Sequence, residues 1–150
     1  MSKDPFVRFT KTILDFMFYI GIIVCATVPL SFRFVGEHIF KIFSQFYLPF
    51  CIIFMIAGVF ALMILWELRR MFRTVLREDP FVRENVISLK RMGVCAFIIA
   101  VCMAARLFFV ITPAALVLIA VFVIAGLFSL VLSMVFDQAV TYKQENDLTI

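Results

Sequence analysis

Four apolar runs, each about as long as a bilayer is thick, constrain this chain more than any other feature. A helix needs about 20 mainly apolar residues to cross hydrocarbon. The sequence offers Thr12–Ser31, Tyr47–Trp66, Met92–Thr112 and Leu116–Phe136. The runs are unbroken, whereas a lipid-facing barrel strand alternates. Helices also satisfy their own backbone hydrogen bonds where water is absent. Of the 150 residues, 65% are apolar and 16% charged, against about 45–50% and 25% in soluble domains. Such a chain cannot coat a water-soluble globule with polar surface. That excludes a free aqueous enzyme, a disordered chain and a nucleic-acid-binding domain, despite the net charge of +4. The expected fold is an all-α polytopic membrane domain over residues 1–150, with four transmembrane helices in two hairpins. The first run does not read as a secretory signal. It is too long, contains Asp15 and lacks a small-residue cleavage site.

Charge sets the expected orientation. Lys3, Arg8 and Lys11 precede the first run, and Lys143 lies in the tail, residues 137–150. The central segment, residues 67–91, holds Arg69, Arg70, Arg73, Arg77, Arg83, Lys90 and Arg91. The opposite side has only Arg33 and Lys41. The positive-inside rule then puts both termini and the central segment in the cytoplasm.

Residues 32–46 pair aromatic and aliphatic side chains with Arg33, Glu37, Lys41 and Ser44 at helical spacing. A short amphipathic helix on the outer interface is expected. The turn between the third and fourth runs is expected at Pro113-Ala114-Ala115. The string DPFVR occurs at Asp4–Arg8 and again at Asp79–Arg83, each time before an outward run. Asp can cap a helix and Pro suits its first position, so each copy is expected to start one.

Spans associate in lipid where small side chains let backbones approach. Ala96, Ala100 and Ala104 form one row of small residues, and Ala125, Ser129 and Ser133 another. A turn centred on Ala114 and Ala115 would bring these rows together at matched depth, with Ile99 facing lipid. Gly21 with Cys25, and Ala57 with Ala61, are shorter rows of the same kind. The 20 Phe residues read as lipid-facing bulk and gap filling.

Charge inside a membrane is costly, by about 2.5–3.5 kcal/mol at a central position. Arg106 and Asp15 qualify, at opposite depths. Glu37 is the only acidic residue on the outer side, so a Glu37–Arg106 contact is expected. Snorkelling of Arg106 to lipid phosphate or carbonyls, or an anionic ligand in an outward cavity, remain open. Asp15 is expected to meet Lys90, Arg91 or a backbone donor. His38 stands alone, and Cys25, Cys51, Cys95 and Cys102 lie inside apolar runs without a C-x-x-C pair. No metal, cofactor or catalytic constellation is expected.

Residues 67–79 read as a helical continuation of the second span, with Arg69, Arg73 and Arg77 on one face. Anionic lipid headgroups or a soluble partner could meet that face. The acidic tail could clasp this basic segment, and its Leu-Thr-Ile ending could add as a strand to a partner.

The strings EDPFVRENVISLKRMG and QENDLTI resemble a family of small four-helix bacterial membrane proteins catalogued as a domain of unknown function. The resemblance covers essentially the whole chain. It implies a bacterial inner-membrane protein without known catalytic residues. Such proteins are often encoded beside a Cro/CI-type helix-turn-helix regulator, which implies a membrane partner restraining a transcription factor. The matched positions are Pro80, Phe81, Glu84, Asn85, Leu89, Arg91 and Gly93, with Asn146, Asp147, Leu148, Thr149 and Ile150. The expected function is therefore a non-enzymatic membrane sensor or regulator whose cytoplasmic loop and tail hold a partner, without direct nucleic-acid contact. An immunity protein against a membrane-active toxin and a small oligomeric transporter are the rival expectations. The sequence leaves the oligomeric state open.

Overall fold

The computed structural model describes residues 4–39, 41 and 45–148. Among them run four membrane-length helices: α1 (Pro5–His38), α2 (Tyr47–Leu76), α3 (Arg83–Arg106) and α4 (Pro113–Leu148). Their length and apolarity make the chain an integral, multi-pass membrane protein.

Local chemistry sets the helix ends. The Phe6 N–H donates to the Asp4 carboxylate at 2.9 Å, and Pro5 takes the first position of α1. At the end of α2 the Glu78 N–H donates to Val75 O and the Asp79 N–H to Thr74 O, both at 3.0 Å. These are the paired bonds of a Schellman stop. Glu78 takes the left-handed conformation there, with φ 59°. The Thr112 hydroxyl caps α4 by accepting the Ala115 N–H at 3.3 Å, with Pro113 as the first helical residue.

The helices pack in series. Among the described residues α1 packs only on α2, α2 also on α3, and α3 also on α4. α3 holds most of the buried side chains, including Ala96, Ile99, Ala100 and Met103. α1 buries only Gly36 fully; it packs one face on α2 and leaves the rest exposed. On the α1–α2 seam, Gly21 lies under Leu62, and Gly58 lies under Cys25. Asp15, Arg69, Asp79 and Asp137 all lie at the end where α1 begins and α4 finishes, here termed the basic end.

Several expectations need correction. α1 runs on to His38, so residues 32–38 extend the first span and do not form a separate amphipathic helix; residues 40 and 42–44 lie outside the described residues. α3 stops at Arg106 and the connection occupies residues 107–112, so Pro113 begins a helix and does not turn one. This moves the hairpin's centre towards the N-terminus and changes its register. Gly93 then faces Gly126 across the α3–α4 seam. Ala125 is exposed and points away, whereas Gly126, Ser129 and Ser133 are buried. Of the expected row on α4, Ser129 and Ser133 are buried, and Gly126 takes the place of Ala125. Ala96 and Ala100 are buried and Ala104 partly so. Ile99 is not lipid-facing. It is 3% exposed and packs with Ala57 and Met103, because α3 is covered by helices on two sides.

The two DPFVR copies differ. The first caps α1, but α3 starts only at Arg83, with Val82 as its cap. Asp79 has been drawn into the stop of α2 and into a pair with Lys143.

Candidate functional site at the basic end

Polar contacts between helices concentrate at the basic end. Asp15 of α1 does not reach Lys90 or Arg91. It accepts from Arg69 Nε of α2 at 2.6 Å and from Lys11 at 3.5 Å. The Arg69 guanidinium also lies over the rings of Phe18, Tyr19 and Trp66, at 4.6, 5.3 and 5.8 Å. Arg69 therefore leaves the row expected with Arg73 and Arg77. It is spent holding α1 to α2.

Glu67 is a buried carboxylate on the α2–α3 seam. It accepts from the Ser88 hydroxyl at 2.7 Å and from Arg91 Nη1 at 3.3 Å. Sequence reasoning passed over both Glu67 and Ser88. The available signal was a lone acid directly after an apolar run, on a helix otherwise carrying arginines. One turn further out, the buried Asn85 amide donates to Thr74 Oγ1 at 2.7 Å and to Pro80 O at 2.6 Å. Asn85 thereby fixes the connection between α2 and α3. On the other seam, Ser129 donates to Leu89 O at 2.7 Å.

The tail is helical as far as Leu148, and Thr149 and Ile150 lie outside the described residues. It clasps the α2–α3 connection. Arg83 pairs with Asp137, Lys143 pairs with Asp79, and the Phe81 ring meets Phe136 edge-on at 5.3 Å. A surface hollow of about 540 Å³ opens beside the clasp, lined by Thr74, Arg77, Asp79, Val82, Arg83 and Glu84. Glu84, Asp147 and Leu148 are exposed, as is Asn146.

Arg70, Arg73 and Arg77 are exposed and have no carboxylate partner among the described residues. They share one stripe of α2. A smaller hollow of about 130 Å³ lies between Trp66, Arg69, Arg70 and Arg73.

Arg106 stands at the opposite end from Asp15. It does not meet Glu37, which pairs with Arg33 at 3.3 Å, one turn away on the same helix. A neighbour already at hand on α1 wins over a distant one. Arg106 donates instead to Thr112 Oγ1 at 3.1 Å.

A family model described as a protein of unknown function (DUF2975) matches residues 35–150. The chain belongs to the DUF2975 family. Neither a curated protein nor a solved structure matches it. The DUF2975 match takes in all of α2, α3 and α4 but only the last residues of α1. It therefore contains both the Glu67–Ser88 seam and the clasp. Within the DUF2975 stretch, the string from Pro80 to Gly93 has a structural task at most of its marked positions. Phe81 packs on the tail helix, Asn85 holds Pro80, Arg91 meets Glu67, and Gly93 admits α4.

Proposed function

We propose that this protein is a non-catalytic regulator of the bacterial inner membrane that docks a soluble partner on its basic end. In this reading both termini and the α2–α3 connection are cytoplasmic, as the distribution of Lys and Arg favours. The observation that carries the proposal is a polar platform beyond the apolar runs. α2 continues from Glu67 to Leu76, and α4 from Asp137 to Leu148, about 15 and 18 Å of helix at 1.5 Å per residue. The clasp holds the tail against the connection, while Arg70, Arg73 and Arg77 keep uncompensated charge. A partner with an acidic surface suits that stripe, and a small helix-turn-helix regulator is the class that the sequence resemblance suggests.

The test places a photo-crosslinking residue at Arg77 and another at Tyr142 in living cells. A soluble regulator captured from both sites, and lost when Arg70, Arg73 and Arg77 all become Ala, supports docking. Capture unchanged by that triple substitution rejects it. A Met71→Cys variant tests the orientation. A membrane-impermeant thiol reagent should modify it in inverted vesicles and leave it untouched in intact cells.

A further inference from the structure

Trp66 is the only tryptophan in the chain, and it stands 49% exposed where α2 leaves its apolar run. Tyr19 of α1, 59% exposed, lies across the seam at the same level, since the Arg69 guanidinium packs on both rings. Exposed tryptophan and tyrosine rings at the ends of spans settle at the level of the lipid headgroups. The two rings therefore fix the depth of this part of the basic end.

Measured from that level, the arginine stripe divides. Arg70, Arg73 and Arg77 follow Trp66 by about 6, 10 and 16 Å along the axis of α2, at 1.5 Å per residue. The polar layer on each face of a bilayer is about 5–8 Å deep. Arg70 thus lies among the headgroups. Arg73 joins it, because its side chain lines the same hollow as Trp66 and Arg70, and long basic side chains lean toward the interface. Arg77 stays beyond, in water, where it lines the separate hollow beside the clasp. The carboxylates nearby are spent elsewhere. Asp15 is shared by Arg69 and Lys11, and Glu67 turns to Ser88 and Arg91 of α3. Four cations at the α1–α2 seam, Lys11, Arg69, Arg70 and Arg73, therefore have Asp15 alone to balance them.

We infer that Trp66, Arg70 and Arg73 form a headgroup site for one anionic phospholipid of the adjoining leaflet. Its phosphodiester sits between the two guanidinium groups, whose planar forks suit phosphate oxygens, and its glycerol backbone lies against the Trp66 ring. The hollow of about 130 Å³ between these side chains receives the phosphate. The inference rests on the basic end being a membrane-surface platform and not on the docked partner. A partner then meets Arg77 and the clasp, beyond the headgroups.

The test uses the full chain in phosphatidylcholine vesicles at physiological salt, with Trp66 as the fluorescent reporter. An equal small share of the lipid is replaced by phosphatidylglycerol or by phosphatidylcholine, each brominated on its acyl chains close to the headgroup so that it quenches tryptophan on contact. The quenching curves should give phosphatidylglycerol an affinity at Trp66 about fivefold higher or more, the factor that one arginine near the membrane surface contributes. Arg70→Gln combined with Arg73→Gln should bring the two lipids level. Arg77→Gln, which removes the same charge farther along α2, should leave the preference at its wild-type strength. Equal quenching by the two lipids in the wild type overturns the site. So does a preference that survives the double variant, or one that Arg77→Gln removes as completely. Added glycerol phosphate should not release the preference; if it does, the site takes a free phosphate ester and the lipid assignment fails. An unchanged circular dichroism spectrum shows that the variants are folded. Should the double variant fail to fold, Arg70→Gln and Arg73→Gln singly give the same readout, and a full preference in both overturns the site. The vesicles hold no soluble protein, so the outcome is independent of whether a regulator docks.

Discussion

Gly93 of α3 and Gly126 of α4 approach so closely that a Cβ on either would lie 3.2 Å from the other's carbonyl oxygen. Around them, Leu130 covers Gly93 and Phe97 covers Gly126. In lipid there is no hydrophobic drive to join helices, so this backbone approach is what lets α3 and α4 gain dispersion contacts.

Gly126→Leu should therefore lower stability in detergent by about 1–3 kcal/mol, the usual range for overpacking. Ala125→Leu should be nearly neutral, because Ala125 is exposed beside it. Thermal unfolding of the two variants checks the order. A larger loss from Ala125→Leu would put the wrong face of α4 against α3.

The Glu67 network predicts a ranking of three alanine substitutions. Glu67→Ala strands the buried Ser88 hydroxyl and the guanidinium of Arg91 together. It should cost about 1–3 kcal/mol. Ser88→Ala removes one partner and leaves Arg91 to Glu67, so its loss should be smaller. Arg91→Ala should cost least, since the Arg91 side chain is 56% exposed and its ion pair is screened. Chemical unfolding in mixed micelles measures all three.

Glu78 holds a positive φ where most helix stops place Gly. For an L residue this costs about 1–2 kcal/mol, part of which Gly returns as chain entropy in the unfolded state. Glu78→Gly should raise stability slightly, by up to about 1 kcal/mol. Glu78→Val should lower it, because a β-branched side chain tolerates this conformation least.

The clasp of the tail should depend on salt. Its two ion pairs, Arg83–Asp137 and Lys143–Asp79, are roughly half exposed, and such pairs contribute only about 0–1 kcal/mol each. Hydrogen exchange over residues 137–148 should quicken at high ionic strength while the exchange of α3 stays unchanged. Asp79→Lys should loosen the tail, and adding Lys143→Asp should restore its protection. If exchange ignores both salt and charge reversal, apolar packing secures the tail, through Phe81 on Phe136 and the buried Val140.

The residue pattern by itself determined the all-α class and the number and approximate placement of the spans, because only a long apolar helix meets the solvation demands of hydrocarbon. Tertiary structure decided where helices stop inside an apolar stretch. Residues 107–111 read Leu-Phe-Phe-Val-Ile, as apolar as any span, yet they are not regular helix. Hydropathy reports affinity for lipid and is blind to the turn, so the hairpin register could not be read from it. The local sign was Thr112-Pro113, a capping residue followed by a first-position proline.

Tertiary structure also chose the partners of each charge. Arg69 goes to Asp15, Glu37 goes to Arg33, and the same DPFVR string caps a helix at Asp4 but joins a clasp at Asp79. A pentapeptide's local preference is worth about 1 kcal/mol. Which competing donor or acceptor packing brings within reach can outweigh it, and packing depends on residues far away in the chain.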